Sequence, residues 1–155
     1  MIESFKTVIA KKSFYAYRPL LNKNDIRIWA ASQGFHETVD DLHVTEAYSK
    51  SLVQWSAMSQ DNNQVKCFDT NREMKQFGDA FVLIFHSPEI EKRWRYFRDK
   101  GCSWDYPDYH PHVTISYKAP KKALKDIKPY HGVLIFSGEK FEELDDNYKS
   151  KIKEV

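Results

Sequence analysis

Two tripeptides in this chain carry residue types suited to acid–base chemistry, His43-Val44-Thr45 and His112-Val113-Thr114. Side chains alternate across an extended strand. If each tripeptide is a strand, His and Thr share one face and Val takes the other, with Ile115 beside Val113. The valines and Ile115 would then face a core, and each His-Thr pair a groove. Imidazole changes charge near neutral pH. One His can therefore take a proton from an attacking oxygen while the other gives one to a leaving oxygen. Two Thr hydroxyls can donate to non-bridging phosphate oxygens as charge builds there. The chemistry this suits is phosphodiester cleavage with no metal and no cofactor.

The elements around the motifs repeat. Phe14-Tyr15-Ala16-Tyr17 reads as a strand, 24–33 as a helix with Asn24 at its N-cap and Gly34 just past its end, and Leu42-His43-Val44-Thr45 closes the unit. Ala80 to Phe85 reads as a buried strand. A second helix opens on Ser87-Pro88, with Ser as N-cap and Pro at the first helical position. It carries Ile90, Trp94 and Phe97 on one face, ends at Gly101, and leads to Pro111-His112-Val113-Thr114-Ile115. One His-x-Thr means little alone; two in matching contexts argue for duplication. Approximate twofold symmetry would set His43 and His112 across a shared cleft.

The rest of the chain is less regular. Val65 to Phe68 and Gly132 to Ser137 are strand candidates, 120–128 is a basic connector with a helical turn or two, and the tail from Glu142 is charged and expected to fray past Leu144. The predicted fold is α+β: a single domain over 1–155, with two lobes, each a small antiparallel sheet backed by a helix, around a central cleft.

Neighbouring residues could complete the site. The loop Gly101-Cys102-Ser103-Trp104-Asp105-Tyr106-Pro107-Asp108-Tyr109 ends at the second motif and can roof the cleft; its aromatics, Trp104 above all, could stack a base or pack the loop down. Tyr15 and Tyr17 share a strand face opposite Phe14 and Ala16, and face the groove if Phe14 and Ala16 face the core. His110 and His112 are spaced to chelate a metal, but only Asp105 and Asp108 lie near as further ligands, so no metal is expected. The arginines and lysine of the second helix read as its solvated face.

Composition narrows the function. The chain has 155 residues, 41% of them hydrophobic, with ten Phe, nine Tyr and four Trp, enough to bury a core without staples. Its 24 basic and 22 acidic residues leave a net charge of +2, unlike a protein that coats long nucleic acid. Two cysteines in no CxxC pattern speak against a disulfide framework. The longest apolar run, 80–85, is far short of the ~20 residues that span a bilayer. A cytoplasmic monomer with no membrane partner is expected.

On the duplicated His-x-Thr units the chain resembles the 2H phosphoesterase superfamily over roughly residues 12–145. Within it, the opening Met1-Ile2-Glu3-Ser4-Phe5-Lys6 and the placement of His43 and His112 resemble the anti-CBASS nucleases of tailed phages. That resemblance implies degradation of the cyclic di- and trinucleotide messengers of a bacterial antiphage system, in the host cytoplasm, by cleavage of 3′–5′ bonds. It implies His43, Thr45, His112 and Thr114 as catalytic residues. It also implies a cleft glutamate, matched to Glu139, and an aromatic stacked on a base. Alternative readings are a 2′,3′-cyclic phosphodiesterase or RNA-end processing enzyme, and a non-catalytic module that sequesters a nucleotide.

Overall fold

A computed structural model describes residues 11–144. The opening Met1–Lys6 and the tail beyond Leu144 lie outside the described residues. Ten elements follow in chain order: β1 (Lys12–Pro19), α1 (Lys23–Ser32), β2 (His43–Val53), β3 (Val65–Cys67), β4 (Glu73–Phe77), β5 (Ala80–Ile84), α2 (Pro88–Asp99), β6 (His112–Ser116), β7 (Leu134–Phe136) and β8 (Lys140–Glu142). Two short 3-10 turns, Trp55–Ala57 and Leu124–Asp126, sit in the connections.

The main sheet has the order β4-β5-β6-β2-β1-β8, every neighbouring pair antiparallel. Its symmetry is legible in that order. From the centre outward β2, β1 and β8 mirror β6, β5 and β4, so the two expected lobes are halves of one continuous sheet. The halves meet at a seam where Val44 and Val113 are the only registered pair among the described residues. A second, two-stranded sheet of β3 and β7 adds Val65, Cys67, Leu134 and Phe136 to the core.

Both helices lie on one face of the main sheet. Ile26 and Ala30 of α1 and Ile90 of α2 pack with Val44, Leu83, Phe85, Val113 and Ile115. Farther along α2, Phe97 packs with Phe14, Ala16, Ala47 and Val53. The helix ends show the duplication atom by atom. Gly34 and Gly101 both have positive φ, 94° and 99°, where glycine carries no Cβ penalty. Phe35 N–H donates to the Ala30 carbonyl and Cys102 N–H to the Phe97 carbonyl, both at 3.0 Å, the closure of a Schellman motif in each repeat.

The helix starts differ. Ser87 caps α2 as expected, its Oγ accepting from Ile90 N–H at 3.2 Å. Asn24 is not the N-cap of α1: that position is Asn22, and no side chain caps the helix there. Asn22 ties the helix start to β7 instead, donating to the Val133 carbonyl and accepting from Ile135 N–H.

Candidate functional site

The valines and Ile115 of the two motifs are fully buried on the helix side, so the His and Thr side chains project from the opposite face. At the seam Val44 pairs with Val113 antiparallel. Carried one residue either way, that register turns His43 towards Thr114 and Thr45 towards His112.

The imidazoles are held in the same way. His43 Nδ1 lies 2.7 Å from the Asp41 carbonyl and His112 Nδ1 lies 2.8 Å from the His110 carbonyl. A carbonyl only accepts, so each Nδ1 carries the hydrogen and each Nε2 is the nitrogen turned to the site. His43 Nε2 lies 3.0 Å from the Tyr15 hydroxyl. Thr45 and Thr114 are each only 4% exposed, and neither hydroxyl has a hydrogen-bond partner among the described residues. Buried hydroxyls are ordinarily satisfied. Two unsatisfied ones beside two oriented imidazoles suit an incoming group with acceptor oxygens.

A bulge makes the face. Ala16 pairs with Ala47 but Tyr17 pairs with Thr45, which leaves Glu46 as an extra residue in β2. Without it Thr45 and Tyr48, three apart, would point to opposite faces; bulges re-aim side chains in this way. Tyr15 and Tyr48 form a cluster on the site face with Tyr17 and Trp104 against it. Tyr15 and Tyr17 stack at 4.7 Å, and both rings stand edge-on to His43. Phe77 stands edge-on to His112 at 5.4 Å. Beyond His112 opens a cavity of about 580 Å³, walled by Phe77, Val82, Trp104, Tyr106, His112 and Thr114 among others. The loop that roofs it is anchored at its start. Ser103 Oγ accepts from Lys50 and Ser51 N–H, and Ser103 N–H donates to Ser49 Oγ.

Of the residues expected from sequence, Tyr15, Tyr17 and Trp104 join the four motif residues on this face. Glu139 does not. Its side chain is buried, with Oε1 accepting from Asp61 N–H and Arg93 Nη2, and Oε2 from Arg93 Nε at 2.7 Å. Arg18, also buried, joins it to Glu46 and Asp61. Burial, with Glu139 alongside, holds the Glu46 carboxyl well above the usual range, while Arg18 opposes the shift. The Asp61 carboxyl lies below it: partial burial works against this, but hydrogen bonds from Arg18 and Asn63 prevail. Arg93, read as part of a solvated face, is a member of this internal cluster.

A glutamate that does lie on the site face is Glu142, while Asp79 and Asp108 line the cavity. Glu142 pairs across β1 and β8 with Tyr15 and accepts from the Tyr17 hydroxyl at 2.9 Å. Its β-strand was not foreseen; the signal was the alternation of Phe141, which packs on the core side, with its neighbours. Tyr109 packs the loop down, its ring stacked on Trp94 at 5.1 Å and its hydroxyl donating to the Thr45 carbonyl at 2.6 Å. Burial pushes its phenol well above the ordinary tyrosine value, so it stays a donor. Among the described residues no cluster of three or more His, Cys, Asp or Glu could hold a metal ion, and no helix is long and apolar enough to cross a membrane.

Comparison with known proteins bears on the fold and the family. E. coli LigT, a 2H phosphoesterase solved in complex with 3′-AMP, superposes with a TM-score of 0.52 at 16% identity, covering 85% of this chain and 87% of that one. A protein of Caulobacter sp. (strain RHG1) named anti-CBASS protein Acb1 is 39% identical over 93% of this chain, which spans only 24% of that protein's length. The protein of the same name from Acinetobacter phage Ac42 is 28% identical over 71% of this chain and 73% of its own length. The family model for anti-CBASS protein Acb1 matches residues 12–151, and the chain belongs to that family.

Proposed function

We propose that this chain is a phosphodiesterase that opens 3′–5′ bonds of cyclic di- and trinucleotides by paired-histidine acid–base catalysis, countering a host defence that signals through them. The observation that carries the reading is the pair of unsatisfied Thr hydroxyls flanked by two imidazoles with Nε2 turned to the same face. The family name and the fold shared with a 2H phosphoesterase support it.

A scissile phosphate over the Val44–Val113 seam puts its non-bridging oxygens within reach of Thr45 and Thr114. The neutral imidazole takes the proton of the ribose 2′-OH at Nε2. O2′ bonds to phosphorus, the bond from phosphorus to O5′ breaks, and the protonated imidazole delivers its Nε2 proton to O5′. The products are a linear chain with a 5′-OH at one end and a 2′,3′-cyclic phosphate at the other. Binding holds nucleophile and phosphate together, and this proximity does much of the work. One base would lie by Tyr17 and Glu142, and the next would enter the cavity beside Trp104, a size typical of small-ligand sites.

The test is to incubate the protein with cyclic di- and trinucleotides and with a short RNA, with and without EDTA, and to separate the products by chromatography. Linear products formed in EDTA support the proposal. Intact but retained ligand makes the chain a sequestering module. Cleaved RNA beside intact cyclic ligand makes it an end-processing enzyme.

A further inference from the structure

The β2–β6 seam poses a mechanical problem. The two motifs lie on strands that share one registered pair, whereas β1 pairs with β2 from Lys12 to Pro19 and β5 with β6 from Phe81 to Ile84. A ladder this short does not fix the distance between two side-chain sets, yet acid–base catalysis across a phosphate needs that distance held. On one side of the valine pair Val39 N–H donates to the Ile115 carbonyl. On the other the Tyr109 hydroxyl reaches across to the Thr45 carbonyl.

We infer that Tyr109 is a positioning residue that sets the spacing of the two His-x-Thr motifs. Its anchor is rigid: the ring lies flat on Trp94 of α2, with an interplanar angle of 5°, and Trp104 meets it edge-on. Its neighbour completes the link, because His110 supplies the carbonyl that orients His112. One dipeptide thus grips the backbone of the first motif and the imidazole of the second. The same stretch walls the cavity through Trp104, Tyr106 and His110, so a base seated there bears on the element that spaces the motifs.

The kinetic readout rests on the proposed phosphodiesterase activity; a second readout does not. Tyr109→Phe keeps the ring stack and removes only the hydrogen bond. On a cyclic dinucleotide it should lower kcat by about tenfold or more, with KM little changed, since a small misplacement of reacting groups costs turnover rather than affinity. Independently, the cross-seam spacing is read by NMR as nuclear Overhauser contacts between the His43 and Thr114 side chains and between the Thr45 and His112 side chains. In Tyr109→Phe these should weaken by about half or more relative to contacts across β1 and β2, since the hydroxyl is the link removed. Cross-seam contacts of native strength in Tyr109→Phe overturn the inference, whatever the rates. Wild-type protein that cleaves no cyclic nucleotide removes the proposed function instead, and the cross-seam contacts still decide the role of Tyr109.

Discussion

Replacing Thr45 or Thr114 by Val should raise stability and destroy activity, and the opposite signs are the diagnostic. Val has nearly the same volume as Thr and suits a strand at least as well, so packing changes little. Each hydroxyl is buried with no partner among the described residues. Burying a polar group unsatisfied costs ~1–3 kcal/mol. Because the site face opens toward the cavity, solvent relieves part of this, and the lower end applies: about 1 kcal/mol regained per substitution. For a domain of this size that corresponds to a rise in Tm of about 2–4 °C. In the proposed reaction each hydroxyl donates to a developing phosphorane oxygen, and losing one such donor costs ~10²–10³ in kcat.

The assay pairs thermal melts of the free protein with turnover of a cyclic dinucleotide. The double variant should be the most stable, and its rate loss should fall short of the product of the two single losses, since both hydroxyls serve one phosphate. A variant that melts lower than wild type and keeps kcat within about twofold would show that the hydroxyls are structural and refute the reasoning.

Three further outcomes follow from named contacts. Replacing His43 or His112 by Ala should lower the rate ~10²–10⁴-fold with the fold retained; a single variant with near-native turnover removes that histidine from the mechanism. Glu139→Gln breaks the buried pairing with Arg93 and Arg18 and should cost ~3 kcal/mol of stability with KM unchanged, whereas Glu142→Gln should leave stability within ~0.5 kcal/mol and raise KM; the reverse pattern would return Glu139 to the cleft. Burial raises the folded Glu46 carboxyl above its unfolded value, so between the two the folded state holds a proton the unfolded state has lost, and stability falls as pH rises through that window. Glu46→Gln should remove this fall, and parallel stability–pH curves for the two proteins would count against it.

The core of the site was legible because its chemistry is local. A His-x-Thr tripeptide states its own geometry once it is extended, and the duplication could be read from helix stops at Gly34 and Gly101 whose closures match. The strand period placed Tyr15 and Tyr17 on the groove face, and Ser87-Pro88 named the start of α2. The strands at the two sheet edges were not legible. β4 and β8 are short and polar, and their pairing is decided by partners far along the chain: β8 exists because β1 offers it an edge, not because Lys140-Phe141-Glu142 insists on being extended.

The position of Glu139 away from the motif face has a physical reason that bears on how the site is built. The family resemblance implies a cleft glutamate, matched to Glu139, but a carboxylate goes where its charge is best compensated. Here Arg18 and Arg93 lie on the helix side, and Arg18 is completely buried. An uncompensated buried guanidinium is costlier than any local preference for the groove, so Glu139 and Asp61 gather round Arg18, and Glu46 accepts a hydrogen bond from its Nε. That cluster joins β1, β2, α2 and the segment ahead of β8 at the bulge that turns Thr45 to the site. With Glu139 held there, Phe141 packs into the core beside Phe14 and Phe97, and strand alternation turns Glu142 to the face that carries Tyr17. The charge cluster on one side of the sheet thereby decides which carboxylate the other side presents.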